Sequence, residues 1–158
     1  TGLPMRSRGE KLVSQFMQKY DGCLVFIDMD NLKQINDTHG HKAGDRSLKL
    51  LGKLLSDMTP DAVVCRLGGD EFVVFLPDMT REVAEESLRV LSAKLHIDYV
   101  KENLEVMISA SMGIVFSDGR DITFQDLYEE ADGCLYQVKR TFKGSYHISD
   151  RASREKAD

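Results

Sequence analysis

The sequence predicts one α+β domain built around a single sheet, and three observations support this. Apolar runs of strand length alternate with segments of helical periodicity in the order α-β-α-β-β-α-β-α-β. Two of the apolar runs flank Gly68-Gly69, which is typical of a hairpin. The chain has 158 residues and no low-complexity linker, so one core is sufficient. Without the first helix and the last strand, the order βαββαβ predicts a ferredoxin-like or polymerase-palm-like sheet with flanking helices and an added edge strand.

The first half of the chain is predicted to contain two helices and a buried strand. Residues 23–30, CLVFIDMD, form a continuous apolar run that ends in acids, as expected of a central strand covered on both faces. The segment NLKQINDTHGHKAGD connects this strand to the second helix, and His39 and His41 are expected in a loop. Pro60 ends the second helix. The apolar stripes of the two helices, over residues 4–20 and after residue 45, are Leu12, Phe16 and Tyr20, and Leu48, Leu51, Leu55 and Met58.

The second half begins with the hairpin, AVVCRL and EFVVFL on either side of the glycines. Thr80 is positioned to cap the next helix. Residues 104–116 form the longest strand candidate, in which Gly113 predicts a bulge. SYHIS, residues 145–149, predicts an edge strand, and a disordered tail is expected over residues 150–158. The two helices carry apolar stripes at Ala84, Leu88, Leu91 and Leu95, and at Phe124, Leu127, Ala131, Leu135 and Val138.

Composition excludes several classes of protein. A net charge of −5 and a pI near 5.4 argue against nucleic acid as a partner. No apolar run approaches the roughly 18 residues that span a bilayer, so no membrane contact is expected. The three cysteines, Cys23, Cys65 and Cys134, contain no C-x-x-C pair and predict buried free thiols in a cytoplasmic protein. The abrupt opening TGLP suggests a piece of a longer protein.

Acidic residues follow apolar strands at two places. Asp28 ends the first strand, while Asp70 and Glu71 lie at the hairpin, and strand ends of one sheet can lie side by side. Such a cluster of oxygen ligands suits Mg²⁺ or Mn²⁺ together with substrate phosphates. The alternative is that these acids are solvated residues that cap the strand ends. Asp30 fits that alternative as well as it fits a functional role. Gly68 and Gly69 supply positive φ for a turn and leave room for a ligand to approach the backbone.

Further polar residues suit a nucleotide. Helix-initiating N–H groups after the first strand can hold phosphate, and Lys33 adds positive charge. Asn36 and Asp45 offer the donors and acceptors that a guanine edge requires. The alternatives are that Asn36 forms a turn and Asp45 caps a helix. Lys139 and Lys143 are four residues apart on the last helix, and they matter only if this helix lies beside the phosphates.

The string GGDEF at residues 68–72 is similar to the signature of the diguanylate cyclase family. Three further segments resemble that family in the same order: TGLP, FIDMDNLKQINDTHGHKAGD and EADGCLYQVKR. The resemblance implies a GGDEF domain over residues 1–149, attached to an upstream sensory domain. It also implies that two GTP molecules are condensed into cyclic di-GMP with release of pyrophosphate, by two facing copies of the domain that each hold two Mg²⁺ or Mn²⁺ ions.

The resemblance also implies a role for each matching residue. Asp28, the Met29 carbonyl, Asp70 and Glu71 become metal ligands, and Asp70 and Glu71 also help to deprotonate the 3′-hydroxyl. The remaining matches are substrate contacts: Asn36 and Asp45 to guanine, and Lys33, Gly68, Gly69, Lys139 and Lys143 around the phosphates.

The chain departs from the family pattern at several positions. Met5 replaces a common Asn, Asn31-Leu32 an aromatic pair, and Phe142-Lys143-Gly144 the usual Gly-Arg-Asn. Thr59 and Ala62 replace the ends of the inhibitory Arg-x-x-Asp motif, so that site is expected to be absent. These departures leave open a catalytically weak GTP-binding sensor. An unrelated Mg²⁺-dependent nucleotidyltransferase is disfavoured by the four matching segments.

Overall fold

The computed structural model describes residue 3 and residues 6–57, 61–101, 108–117, 122–141 and 143–149, without the side chains of residues 92 and 94–101. The helices of this part of the chain are α1 (Arg6–Lys19), α2 (Leu32–His39), α3 (His41–Ser56), α4 (Arg81–Lys101) and α5 (Phe124–Thr141). Its strands are β1 (Gly22–Met29), β2 (Val63–Gly68), β3 (Glu71–Pro77), β4 (Ala110–Phe116) and β5 (Tyr146–Ile148).

These strands form one mixed sheet in the order β2-β3-β1-β4-β5. Strand β1 pairs antiparallel with both β3 and β4, β2 pairs antiparallel with β3, and β5 lies parallel to β4. The predicted α+β palm-like sheet, the hairpin and the added edge strand are confirmed.

Strand β1 is the central strand, and the sheet is covered on both faces. Cys23, Val25 and Ile27 face a core that includes the leucines of α3 together with Leu88 and Leu91 of α4. Leu24 and Phe26 face a second core with residues of α1 and α5. Both sets are at most 1% exposed, which explains why the β1 sequence shows no polar alternation. The three cysteines are buried thiols outside disulfide bonds, as predicted, and burial raises the pKa of the Cys65 thiol to about 11.

Helix α2 corrects the expectation of a loop before the second helix. His39 ends α2 and His41 begins α3, with Gly40 between them at a φ of 90°. The buried residue of α2 is Ile35, so the segment carries too little apolar pattern to show its helix in the sequence. Asn36 and Asp45 both lie inside helices, so the turn and N-cap alternatives for them are wrong.

The predicted bulge at Gly113 is also wrong. Gly113 pairs in regular register with Phe26, and the register shift of this sheet lies in β2, between Arg66 and Gly68. A Cβ at residue 113 would lie 2.1 Å from the Ala131 carbonyl oxygen. This glycine therefore lets α5 pack directly against β4.

Helices α1 and α4 differ in how far their predicted residues have the expected roles. In α1 the buried residues are Gly9 and Val13, whereas Tyr20 of the predicted stripe is 42% exposed. Thr80 caps α4 by accepting a hydrogen bond from the Val83 N–H at 3.3 Å.

No helix in the described ranges has the length and apolarity required to cross a bilayer. The expectations for Pro4, Met58, Pro60, residues 104–107, the Leu95 side chain and the tail 150–158 lie outside the described residues.

Candidate metal and nucleotide site

Three acids meet where β1 ends beside the β2–β3 turn. Asp28 is paired with Glu71 in the β1–β3 ladder, and the Met29 N–H donates to the Asp70 carbonyl oxygen at 3.0 Å. One carboxylate oxygen from each of Asp28, Asp70 and Glu71 lies within 4.8 Å of the other two. The strand ends are therefore adjacent, as the sequence predicted.

Asp28 has one oxygen that is paired and one that is not. Its Oδ2 accepts a hydrogen bond from Lys139 Nζ at 2.6 Å, while its Oδ1 is buried without a hydrogen-bond partner among the described residues. A buried acceptor without a donor is unfavourable. A hard divalent cation would satisfy that oxygen, and carboxylates are the ligands that Mg²⁺ and Mn²⁺ prefer. The acids therefore fit such an ion, while Met29, whose side chain lies in the core, has only its backbone to offer.

The electrostatics of the cluster agree with a cation site. Burial raises the pKa of Asp28 to about 6, an effect that Lys139 opposes and Asp70 reinforces. Burial, and then the negative charges of Asp70 and Asp132, raise the pKa of Glu71. Closely placed carboxylates resist simultaneous ionisation unless positive charge compensates them.

The turn beside these acids is open on its outer side. Gly68 and Gly69 have φ values of 148° and 46°, and a Cβ built at either would meet nothing within 4 Å. The predicted positive φ and open approach are both confirmed. Arg66 braces the turn by donating from Nε and Nη2 to the Gly69 carbonyl oxygen at 3.1 and 2.6 Å. Sequence analysis did not single out Arg66, although an arginine two residues before a glycine pair in a hairpin could have indicated a contact with the turn.

The two lysines near the end of α5 occupy different elements. Lys139 is on the helix and is 33% exposed, and its ion pair with Asp28 shows that α5 does lie beside the acids. Helix α5 ends at Thr141, so Lys143 lies in the turn beyond it, which corrects the expectation of a shared helix face. Lys143 Nζ lies 3.5 Å from Asn31 Oδ1. Met5 and Phe142 lie outside the described residues.

Asn36 of α2 packs against Gly44 of α3 at the α2–α3 corner. The Asn36 side chain lies so close to Gly44 that a Cβ there would be 1.9 Å from Asn36 Oδ1. Asp45 follows Gly44 and is exposed, as is Lys33 in the first turn of α2. The N-cap of α2, Asn31, has a φ of 60° and makes no side-chain cap hydrogen bond. Side-chain capping therefore does not occupy the first N–H groups of α2.

A cleft of about 340 Å³ adjoins the acid cluster on the α5 side. Asp28, Glu71 and Lys139 line it. Sequence analysis missed three polar α5 residues that also line it, although they share one helical face at spacings of three and four residues: Glu129, Asp132 and Tyr136. The Tyr136 side chain is 61% exposed, and the Arg140 guanidinium lies 5.5 Å from the centre of its ring.

Asp30 is a buried residue with two partners. It is 3% exposed and accepts hydrogen bonds from Ser109 Oγ at 2.7 Å and Ser111 Oγ at 2.6 Å. The solvated-cap interpretation of Asp30 is therefore wrong.

Comparison with known proteins assigns this arrangement to one family. The family model "Diguanylate cyclase, GGDEF domain" matches residues 1–145. The chain is 35% identical to the diguanylate cyclase DgcP of Pseudomonas aeruginosa over 158 residues, which cover 94% of this chain and 23% of DgcP. It is 29% identical over 152 residues to the cyclic di-GMP phosphodiesterase PdeR of Escherichia coli, covering 94% of this chain and 23% of PdeR.

A solved structure shows the same fold. The active GGEEF domain of a diguanylate cyclase from Vibrio cholerae superimposes with a TM-score of 0.81 at 26% identity, covering 92% of this chain and 97% of that one. The chain thus spans nearly all of an isolated domain of this kind but about a quarter of the length of the two curated relatives.

Proposed function

Because the chain belongs to the diguanylate cyclase GGDEF domain family, we propose that it condenses two GTP molecules into cyclic di-GMP and releases pyrophosphate. The observation that carries this proposal is the group of Asp28, Asp70 and Glu71, with a buried unpaired oxygen on Asp28. Such a group is costly in a protein that never binds a cation there. It suits one that handles metal-bound triphosphate.

The acids and the Met29 carbonyl are proposed to hold two Mg²⁺ or Mn²⁺ ions. When bound, these ions supply positive charge that neutralises the carboxylates and the triphosphate. Lys139 donates a hydrogen bond to Asp28 and is proposed to donate to a phosphate when GTP binds. The open turn at Gly68 and Gly69 gives the triphosphate access to the backbone.

The nucleotide is proposed to extend from the acids to the α2–α3 corner. Asn36 packs against Gly44, the residue before the exposed Asp45. The two side chains are proposed to offer an amide and a carboxylate to the guanine edge. The uncapped N-terminus of α2 and the exposed Lys33 are available to the phosphates, because helix N-terminal N–H groups attract anions. Lys143 is proposed to contact the phosphates from the turn after α5.

In the proposed reaction the 3′-oxygen of one GTP forms a bond to the α-phosphorus of the other. The bond from that phosphorus to the bridging oxygen of the β-phosphate breaks, and pyrophosphate leaves. Asp70 and Glu71 assist removal of the 3′-hydroxyl proton. The bond is made twice, once in each direction, so a second copy of the domain must face the first.

Replacing Asp70 by Asn tests the proposal. Asp70 lies in the turn between β2 and β3, so the variant is expected to fold while product formation falls below detection. Mass spectrometry of a GTP and Mg²⁺ incubation measures cyclic di-GMP directly. Asp78→Asn is the matched control, because it removes the same charge at the opposite end of β3. Equal product from the wild type and Asp70→Asn would contradict the metal assignment.

A GTP-binding sensor is the second candidate. It is favoured by Lys143, which cannot bind two phosphate oxygens as a forked arginine does, and by the similarity to PdeR, a protein named for phosphodiesterase activity. This candidate predicts GTP binding in calorimetry together with no cyclic di-GMP. An upstream sensory domain, a cytoplasmic location and the lack of nucleic-acid or membrane contact stay predictions.

A further inference from the structure

We propose that Asp30, Ser109 and Ser111 are positioning residues that fix Lys143 beside the nucleotide phosphates. This inference rests on the proposed function, in which Lys143 contacts a phosphate. It extends that function by connecting the end of the metal-bearing strand to the turn after α5 through buried hydrogen bonds.

The connection begins at Asp30, two residues after Asp28. Its carboxylate accepts both serine hydroxyls, and its backbone N–H donates to the Ser109 carbonyl oxygen at 2.9 Å. Asp30 and Ser111 are 3% and 0% exposed, so water does not compete for these bonds. Each hydroxyl has a single hydrogen, which here is directed to Asp30.

Ser111 passes the connection on to Gly144. Because its hydrogen points to Asp30, its oxygen is free to accept, and it accepts the Gly144 N–H at 3.0 Å. A Cβ at Gly144 would lie 3.7 Å from Ser109 Cβ and 3.8 Å from Asp30 Oδ2. The turn is therefore seated directly on the Asp30 and Ser109 side chains.

Lys143 precedes Gly144, and its Nζ reaches Asn31, the neighbour of Asp30. A lysine is a point charge on a long flexible stem. Its contact with a phosphate is favourable only if little freedom is lost on binding. The hydrogen bond to the Gly144 N–H fixes the backbone next to Lys143, so less conformational freedom of Lys143 is lost when it binds a phosphate.

The test is a double-mutant cycle on Ser111 and Lys143. Ser111→Ala is expected to raise the KM for GTP about three- to tenfold, the range of one lost hydrogen bond, with kcat changed less than about twofold. If Ser111 acts through Lys143, adding Ser111→Ala to Lys143→Ala changes KM by less than about twofold.

Ser117→Ala is the matched control. Ser117 is also a buried serine of the β4 region that accepts a backbone N–H, from Gly22 at 2.9 Å, but it lies about 20 Å along the strand direction from Ser111. It is expected to lower the melting temperature without changing KM. Ser111→Cys, which keeps the size and weakens the acceptor, is the second variant if the alanine variant does not fold.

A wild-type KM in Ser111→Ala or Ser111→Cys overturns the inference, as do fully additive effects with Lys143→Ala. Absence of cyclic di-GMP from the wild-type chain would instead overturn the proposed function. In that case the same cycle is measured as GTP affinity by calorimetry, with the same expected fold-changes and the same overturning results.

Discussion

Replacing Asp28 by Asn is expected to stabilise the metal-free domain while abolishing its activity. In the absence of metal, burial holds the pKa of Asp28 at about 6, above its ordinary value of 3.8. The folded state therefore disfavours the charged carboxylate at neutral pH. An Asn of the same shape removes that charge, and its amide can donate to the neighbouring acids while its oxygen accepts from Lys139.

The magnitude follows from the pKa shift. About two pKa units correspond to about 3 kcal/mol of stability that the ionised Asp28 costs at pH 7. The Asp28 side chain is 14% exposed, so little solvent screening reduces this cost. This value already includes the pairing of the charged carboxylate with Lys139. For a domain of this size, about 3 kcal/mol is a rise of roughly 6–12 °C in Tm.

The sign of the pH dependence is fixed by the raised pKa. Between pH 3.8 and about 6 the folded state holds a proton on Asp28 that the unfolded state has lost, so wild-type stability decreases as pH rises through this window. The stability difference between Asp28→Asn and the wild type is therefore largest above pH 7 and vanishes below pH 4. Mg²⁺ is expected to stabilise the wild type and not the variant.

Thermal unfolding of both proteins in EDTA, at pH 7.5 and pH 4, measures these differences. Asp37→Asn, an exposed acid on α2, is the control for loss of one negative charge. An Asp28→Asn variant that melts at or below the wild type at pH 7.5, or a difference as large at pH 4 as at pH 7.5, would refute the reasoning.

Three further predictions concern the nucleotide. Asn36→Ala is expected to weaken GTP binding by about 1–3 kcal/mol and ATP binding much less, because it unpairs one edge of guanine; equal losses in parallel titrations would contradict a guanine contact. Specific activity is expected to rise with enzyme concentration, since each domain supplies half of the reacting pair; a flat dilution series would count against facing domains. Calorimetry with cyclic di-GMP is expected to show no submicromolar binding through residues 59–62, where Thr59 and Ala62 replace the arginine and the acid. Tight binding there would show that the inhibitory site is misplaced.

The central strand and the hairpin could be predicted from short stretches of sequence. The unbroken apolar run of β1 predicted a strand covered on both faces, and the glycine pair predicted the hairpin. The acid cluster could be predicted because its members end adjacent strands. Helix α2 was missed because one buried residue, Ile35, gives too weak a periodic signal.

The contacts that order the site are not local, and no short pattern encodes them. Asp30 finds its serine partners 79 and 81 residues away, and Lys139 meets Asp28 across 111 residues. The sequence placed Asp28 and Asp30 at the end of a strand, the two serines inside a strand candidate and Lys139 on the last helix. Only the register of β4 against β1, and the seat of α5 on β4, determine which of them touch.

The packing of α5 against β4 connects the sheet to the acids at the end of β1. Gly113 has no side chain, so the α5 backbone at Ala131 and Leu135 occupies the space a Cβ would need, 2.1 and 2.7 Å from its position. Ala131, Leu135 and Lys139 are spaced four residues apart along one face of α5. The distance at which Ala131 and Leu135 pack against β4 therefore also determines how far the Lys139 backbone lies from the sheet. If α5 lay farther from β4, the flexible Lys139 side chain would have to extend to keep its 2.6 Å hydrogen bond to Asp28. The absence of a side chain at Gly113 thus lets α5 pack close enough for Lys139 to reach the acid at the end of β1 without extending further.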